Sequence, residues 1–440
     1  MNQQGHRHLK SSLSLEVRRG KTLEDAWAAI RENARVSKSA DTRKEIQVFE
    51  AYLSANLRRI GRDLQKGKFK FVPAKGVKIP KGKDKTQFRP LVVARVQSRV
   101  VQRAINDVLS DVPTLQPLIY TPYSFGGIKK KLRGELAAVP AAIQAVLKAI
   151  EKGGIYFVRS DISKFFTRIP KSSVTELVAK AVDDVDFLSL FESAIKVELE
   201  NMAQLRESAS AFPIEDIGLA QGNCLSPLLG NLFLHAFDAE MNQQPGVCCL
   251  RYIDDFIVIG TSSESAERAF SLAMQRLNML GMETSAGKTQ QGRVKDGFEF
   301  LGIHLSPGLI RPSKSSRDRL IESVKGAFDE SAKGILGAKK GKAILKSQSL
   351  LETLCRVGGI IQGWGKHYRF CNDQETLRQL DVKIEGLLRH YLGIYRETRD
   401  TVSSATKWNL LGVESLAQIK RTPFSWPEVA QKQSAASAAK

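Results

Sequence analysis

The sequence predicts an α+β fold in which a small antiparallel sheet is carried on helices and is followed by a mainly helical C-terminal part. Three observations lead there. Tyr252-Ile253-Asp254-Asp255 lies between two apolar strand-like runs, residues 248–250 and 256–259, the pattern of a β-hairpin with two carboxylates at its tip. Ile155-Tyr156-Phe157-Val158 is another strand-like run, and it leads straight to an acid, Asp161. Elsewhere, apolar residues recur at spacings of three and four over long stretches, as on amphipathic helices.

Residues up to about 40 are polar and basic with weak periodicity, and read as a flexible arm or as helices that order only on a partner. From Thr42 a helix is signalled. Thr42-x-x-Glu45 has the form of a capping box, Ile46, Phe49, Leu53, Leu57, Ile60 and Leu64 keep helical spacing, and Gly67 is the stop. Arg58, Arg59 and Arg62 face outward from it. A basic, glycine-containing hairpin follows over residues 75–85, then Arg89. Lys129-Lys130-Lys131-Leu132-Arg133 is another basic cluster, after which a helical stretch leads to Asp161.

Residues 172–204 read as mostly helical and the polar stretch 206–216 as a loop. Gly218-Leu219-Ala220-Gln221-Gly222-Asn223-Cys224-Leu225-Ser226-Pro227 is a glycine-punctuated loop entering an apolar helix over residues 228–241. Gly222 there permits close backbone approach to a substrate, and Pro227 suits a first helical turn. Beyond the hairpin, residues 264–281 are helical, with Ala269, Leu272, Ala273, Leu277 and Leu280 on one face. Lys288 falls in a turn, and residues 298–305 are strand-like. From about Arg311 the chain is helical, with a basic loop at Lys339-Lys340-Gly341-Lys342. Trp364 and Tyr368, four residues apart, read as core of that part rather than as a stacking surface. Residues 431–440 are Ala, Ser, Gln and Lys, a composition expected to be disordered.

Composition narrows the class of partner. The chain has 440 residues, enough for two or three subdomains, and its 42% hydrophobic content is ordinary. Its net charge of +21, from 67 Lys and Arg against 46 Asp and Glu, is not, and points to a phosphate-rich partner. Membrane is the competing explanation. The sequence has no long apolar span and its start is polar through Arg19, so a soluble, cytoplasmic protein is expected. Five cysteines (Cys224, Cys248, Cys249, Cys355 and Cys371) form no Cys-x-x-Cys pair, and the six histidines lack metal-ligand spacing, which disfavours zinc and a disulfide framework. The paired carboxylates instead suit Mg²⁺, a hard cation that takes oxygen ligands.

Asp161 with Phe166, Gln221-Gly222 with Ser226-Pro227, and Tyr252-Ile253-Asp254-Asp255, in that order, resemble the reverse transcriptases, especially the bacterial kind related to group II introns. Ile79-Pro80-Lys81, Arg89-Pro90-Leu91, Arg99-Val100-Val101-Gln102, Tyr123-Ser124-Phe125-Gly126, Gly287-Lys288-Thr289 and Phe298-Glu299-Phe300-Leu301-Gly302 extend the likeness. Gly363-Trp364 with His367-Tyr368 resembles the thumb of the intron-type enzymes, so the resemblance covers residues 69–392. It implies a right-hand polymerase: a basic N-terminal extension over residues 1–65, fingers and palm over 66–310, a helical thumb over 311–420 and a flexible tail over 421–440.

The same resemblance implies RNA-directed DNA synthesis by two-metal nucleotidyl transfer. Two Mg²⁺ ions about 3.5 to 4 Å apart, with Mn²⁺ as a substitute, stabilise the entering and departing oxygens together. Asp161 and Asp254 are the expected metal ligands, with Asp255 as helper and the Ile162 carbonyl as a further ligand. Lys81 and Arg89 are expected on the triphosphate, Phe166 against the sugar of the incoming nucleotide, and Gln221 and Gly222 along the nascent base pair. Lys288 is the expected general acid for the leaving pyrophosphate. Asn223 and Cys224 depart from the small residues usual at their positions. The implied partners are dNTPs, a DNA product and an RNA template, expected to be a dedicated non-coding RNA copied in bacterial antiphage defence. A maturase-like RNA-binding protein and a template-independent polymerase are the alternatives. No zinc-binding or His-Asn-His nuclease appendage is recognisable, so DNA cleavage is not expected.

Overall fold

The strand-forming runs assemble into a five-stranded sheet with the spatial order Ser124–Phe125, Val247–Tyr252, Asp255–Gly260, Tyr156–Asp161 and Gln290–Arg293. This is seen in a computed structural model that describes residues 12–35, 37, 39–81, 84–129, 135–416 and 419–425. Strands Val247–Tyr252 and Asp255–Gly260 pair antiparallel, closing on Tyr252 opposite Asp255. Tyr156–Asp161 lies antiparallel on the other side of Asp255–Gly260, with Asp161 opposite Asp255. The short strand Ser124–Phe125 runs parallel to Val247–Tyr252. Residues 256–260 are buried without alternation, because aromatic side chains cover the central strand: Phe237 meets Phe256 edge-on and Phe270 stacks on it.

The chain divides into two compact units, Met1–Leu301 with Leu305–Pro307, and Gly302–His304 with Gly308–Lys440. The extension expected over residues 1–65 is not a unit of its own. Helices Leu13–Arg18 and Gly20–Arg35 bury Val17, Leu23, Ala26, Trp27, Ile30 and Ala34 in the same core as Val100, Val101 and Ile105 of helix Val96–Ser110. Over residues 13–35 neither a flexible arm nor partner-dependent order describes the chain, and residues 1–11 lie outside the described residues. Two of the buried positions are alanines, which weaken an apolar stripe while fitting a close helix contact.

The helix read from Thr42 to Gly67 is two helices, Ala40–Ala51 and Leu53–Gln65, interrupted at Tyr52. Its cap is Ser39, whose side chain accepts the Thr42 N–H, so the Thr42–Glu45 box does not form. Glu45 turns instead to the start of the next long helix and accepts the Val96 N–H at 3.1 Å. The apolar run 228–241 also divides, into Leu225–Phe233 and His235–Met241.

Residues 206–216, expected as a loop, contain a 3₁₀ turn at Arg206–Ala211, and Ala209 and Phe212 join a small core with Ala74, Val92 and Leu205. Buried Lys171 donates to the Pro213 and Glu215 carbonyls, holding the segment down. Residues 298–305 are two strands, Phe298–Phe300 and Ile303–Ser306, because Leu301 (φ 51°) and Gly302 (φ 77°) both take the left-handed conformation that ends a strand.

The second unit consists chiefly of helices Lys314–Lys339, Leu350–Tyr368, Gln374–Thr401 and Ser404–Leu411, around Leu320, Val324, Phe328, Ile335, Tyr391 and Leu410. Trp364 packs against this core, its ring 4.5 Å from that of half-buried Tyr368. The basic residues 130–133, the hairpin tip Gly82-Lys83 and the tail 431–440 lie outside the described residues. Among those described, no helix is long and apolar enough to cross a membrane.

Candidate active site

The two-residue turn between strands Val247–Tyr252 and Asp255–Gly260 is Ile253-Asp254. Ile253 has φ 60°, a conformation that a β-branched residue adopts at a penalty of about 1–3 kcal/mol. Hydrogen bonds hold it there. The Ile253 N–H donates to the Phe125 carbonyl at 3.3 Å, and the Ile253 carbonyl accepts from Arg251 Nη1 at 2.8 Å. The next carbonyl, that of Asp254, accepts the Ile162 N–H at 2.9 Å, which ties the hairpin to the end of strand Tyr156–Asp161. In an extended strand adjacent side chains face opposite ways; the turn breaks that alternation, so both hairpin acids reach Asp161. One oxygen each of Asp161, Asp254 and Asp255 lies within 4.8 Å of the others.

Three partly buried carboxylates at this distance repel. Burial first, and then the Asp161 charge, raise the Asp254 pKa, against the opposing charges of Lys288 and Arg89. Asp255 is pushed up to about 6 by burial, then by Asp254 and Asp161. Lys288 Nζ donates to Asp161 Oδ2 at 2.7 Å, and Ser285 Oγ donates to the same oxygen at 3.0 Å. The donor set is all oxygen, negative and repulsive when empty of cation, which fits Mg²⁺ or Mn²⁺. It is the one cluster of metal-binding type among the described residues.

The remaining expected residues are placed as follows. Arg89 lies in strand Asp84–Val93 opposite Ile79, and its charge bears on Asp254. Lys81 sits at the exposed end of the same hairpin. Phe165 enters the core, whereas Phe166 stays half-buried, their rings 5.1 Å apart and tilted by 52°. The Leu219 N–H donates to the Phe166 carbonyl at 2.7 Å, joining the first block to the Gln-Gly loop. The Gln221 carbonyl accepts the Val92 N–H at 2.8 Å. Gly222 has φ 108°, and a Cβ there would stand 2.6 Å from the Val92 carbonyl oxygen. A side chain there would therefore collide with this chain's own strand Asp84–Val93, which is why the position is glycine. Ile162 is buried, its N–H committed to Asp254.

Sequence reasoning missed Ser285 and the buried group of Arg251, Asp238, Asn231 and Ser124. The available signal was Arg251 itself, a charge inside an otherwise apolar strand, which must find partners if buried.

Residues 79–305, more than half of the chain, match the family described as reverse transcriptase (RNA-dependent DNA polymerase). The chain belongs to the reverse transcriptase family. It is 24% identical over 295 residues to Protein YkfC of Escherichia coli, covering 59% of this chain and 73% of that protein. It is 24% identical over 218 residues to the group II intron-encoded protein LtrA of Lactococcus lactis, covering 49% of this chain but only 33% of LtrA. Among solved structures, apo telomerase from Candida tropicalis, truncated from the C-terminal domain, is similar over 54% of this chain and 53% of its own at 14% identity and a TM-score of 0.36. This reverse transcriptase is an α+β enzyme of the RNA-directed DNA polymerase class, and the family implies dependence on divalent metal.

Proposed function

We propose that this reverse transcriptase extends a DNA strand on an RNA template with Asp161 and Asp254 as its metal-holding carboxylates and Asp255 beside them. One observation carries the reading: acids at the ends of two adjacent interior strands, and in the turn that joins one of them to its hairpin partner, bring oxygens within 4.8 Å of one another. Divalent cations held there, Mg²⁺ or Mn²⁺, supply the positive charge that offsets the build-up on the 3′ oxygen and on the departing pyrophosphate. Ser285 and Lys288 orient Asp161, and the Lys288 ammonium holds a proton where a leaving phosphate oxygen can take it. Arg89 and Lys81 bind the triphosphate, and Gln221 and Gly222 run along the new base pair. The half-buried ring of Phe166 excludes a 2′ hydroxyl by contact. The Ile162 carbonyl is a further metal ligand.

The finer reading is that the template is one dedicated non-coding RNA, copied in the cytoplasm of a bacterium as part of antiphage defence. A net charge of +21 supports a large nucleic-acid partner. Similarity to an intron-encoded protein favours a second reading, in which the RNA is an intron and the chain also helps it fold. Purified protein supplied with labelled dNTPs or NTPs, with and without RNA, tests the chemistry: incorporation of dNTPs that needs RNA is expected, and RNA-independent or NTP-only synthesis overturns it. Sequencing the nucleic acid that co-purifies then separates one dedicated RNA from an intron.

A further inference from the structure

We infer that Arg251 is a positioning residue: its buried guanidinium holds the turn that presents Asp254, and Asp238, Asn231 and Ser124 exist to aim it. The inference rests on the reading of Asp161 and Asp254 as metal-holding groups.

Arg251 is fully buried, as is nearly all of Asp238. Nε donates to Asp238 Oδ1 at 2.8 Å, and Nη2 donates to Asp238 Oδ2 and to Ser124 Oγ. Nη1 donates to Asn231 Oδ1 at 3.0 Å and to the Ile253 carbonyl at 2.8 Å. Arginine has five N–H donors in a rigid fork, and each has an acceptor here; lysine has three on a flexible stem.

A buried ion pair is by itself weak evidence of a stabilising role, because well-packed apolar residues of similar volume often replace one without loss. What distinguishes this one is where its fifth bond goes. The Ile253 carbonyl belongs to the left-handed residue immediately before Asp254. The same network orders the segment on the turn's other side: Asn231 Nδ2 donates to the Gly126 carbonyl at 2.9 Å, and Ser124 Oγ bonds Asn231 Oδ1 at 3.2 Å. Gly126, with φ 84°, lies so close that a Cβ on it would stand 3.0 Å from the side chains of both Ile253 and Tyr252. Phe125, between those two network residues, accepts the Ile253 N–H. Both backbone groups of Ile253 are thus held by elements that Arg251 and its partners fix, leaving the turn one conformation. The Tyr123-Ser124-Phe125-Gly126 block acquires a physical role in this way, as the anvil against which the turn is pressed.

The test uses the full chain. In Arg251→Met/Asp238→Leu the pair is replaced by apolar groups, and in Arg251→Lys the charge on Asp238 is kept while the fork is lost. Each is measured for thermal unfolding, for Mn²⁺ affinity by electron paramagnetic resonance, and for kcat and KM in primer extension. The expected result is folded protein with Mn²⁺ affinity and kcat both reduced about 10–100-fold, with KM for dNTP little changed. Adding Ile253→Gly, which accepts φ 60° without strain, should recover part of the lost metal affinity, an effect that a purely structural ion pair would not produce. Folded variants with wild-type metal affinity and kcat would overturn the inference. If the double variant does not fold, Arg251→Lys decides by the same readings. The metal measurement needs no polymerisation, so a wild-type chain that binds Mn²⁺ but makes no DNA would sink the functional reading while leaving this inference to be judged on affinity.

Discussion

The carboxylate hairpin and the C-terminal helical unit of this reverse transcriptase follow opposite rules of construction. In the helical unit each long helix obeys local chemistry. Ser313, Ser349, Asp373 and Ser403 cap the helices by accepting an N–H three residues on. Charges stay outside as pairs four residues apart, such as Lys314 with Asp318 and Lys325 with Asp329. At the hairpin the local rules are broken together: a β-branched residue is left-handed, an arginine is fully buried, and three acids crowd one locus. Departures from local consistency gather where a protein does its work and must be held by long-range contacts.

The sharpest way to break the comparison is to neutralise an acid. Asp254→Asn or Asp161→Asn should reduce RNA-templated primer extension to background, while thermal stability of the metal-free protein stays level or rises because repulsion is removed. Loss of activity with a lower melting temperature would instead mean that the acids are structural. Phe166→Ala comes next. It should raise ribonucleotide incorporation relative to dNTPs, and unchanged sugar selectivity would remove Phe166 from the nucleotide site.

The two regions should also answer pH with opposite signs. Asp255 titrates near 6 in the folded chain, above its ordinary value of 3.8, so its contribution to stability is full below pH 3.8 and is lost as pH rises through about 6. Hydrogen bonds from the Thr376 backbone and side chain hold Asp373 below 3.8, so its contribution is present above that pH and is lost as pH falls through its folded value. Amide exchange on the metal-free protein, followed separately in the two regions, should therefore show the hairpin better protected at pH 5 than at pH 7. The start of helix Gln374–Thr401 should loosen only in stronger acid. For the same reason Mg²⁺ affinity should weaken several-fold between pH 7.5 and 5.5, because binding must then expel a proton from Asp255. The smallest effect is expected from Asp373→Ala, which removes bonds of 2.9 and 2.7 Å and should lower stability by roughly 1 kcal/mol without changing kcat.

Local patterns carried much of this. The hairpin, the strand leading to Asp161, the helix over 264–281 and the helical C-terminal part all follow from spacing that short segments impose on themselves. What spacing missed depended on partners far along the chain. Ala26 and Ala34 are core only because other helices close on them. Glu45 abandons its own helix start for Val96, and Gly222 is glycine because Val92 lies against it. Arg251 draws its acceptors from residues 124, 231, 238 and 253, separate segments whose meeting no local pattern encodes.

By itself the order of residues determined which acids, strands and helices this reverse transcriptase has, because periodicity and turn chemistry act over a few residues. Only the tertiary structure decided that three of those acids share one locus, and that a buried arginine holds the turn beneath them. Electrostatic repulsion and backbone strain are settled by distances in space, and those exist only once the sheet has formed.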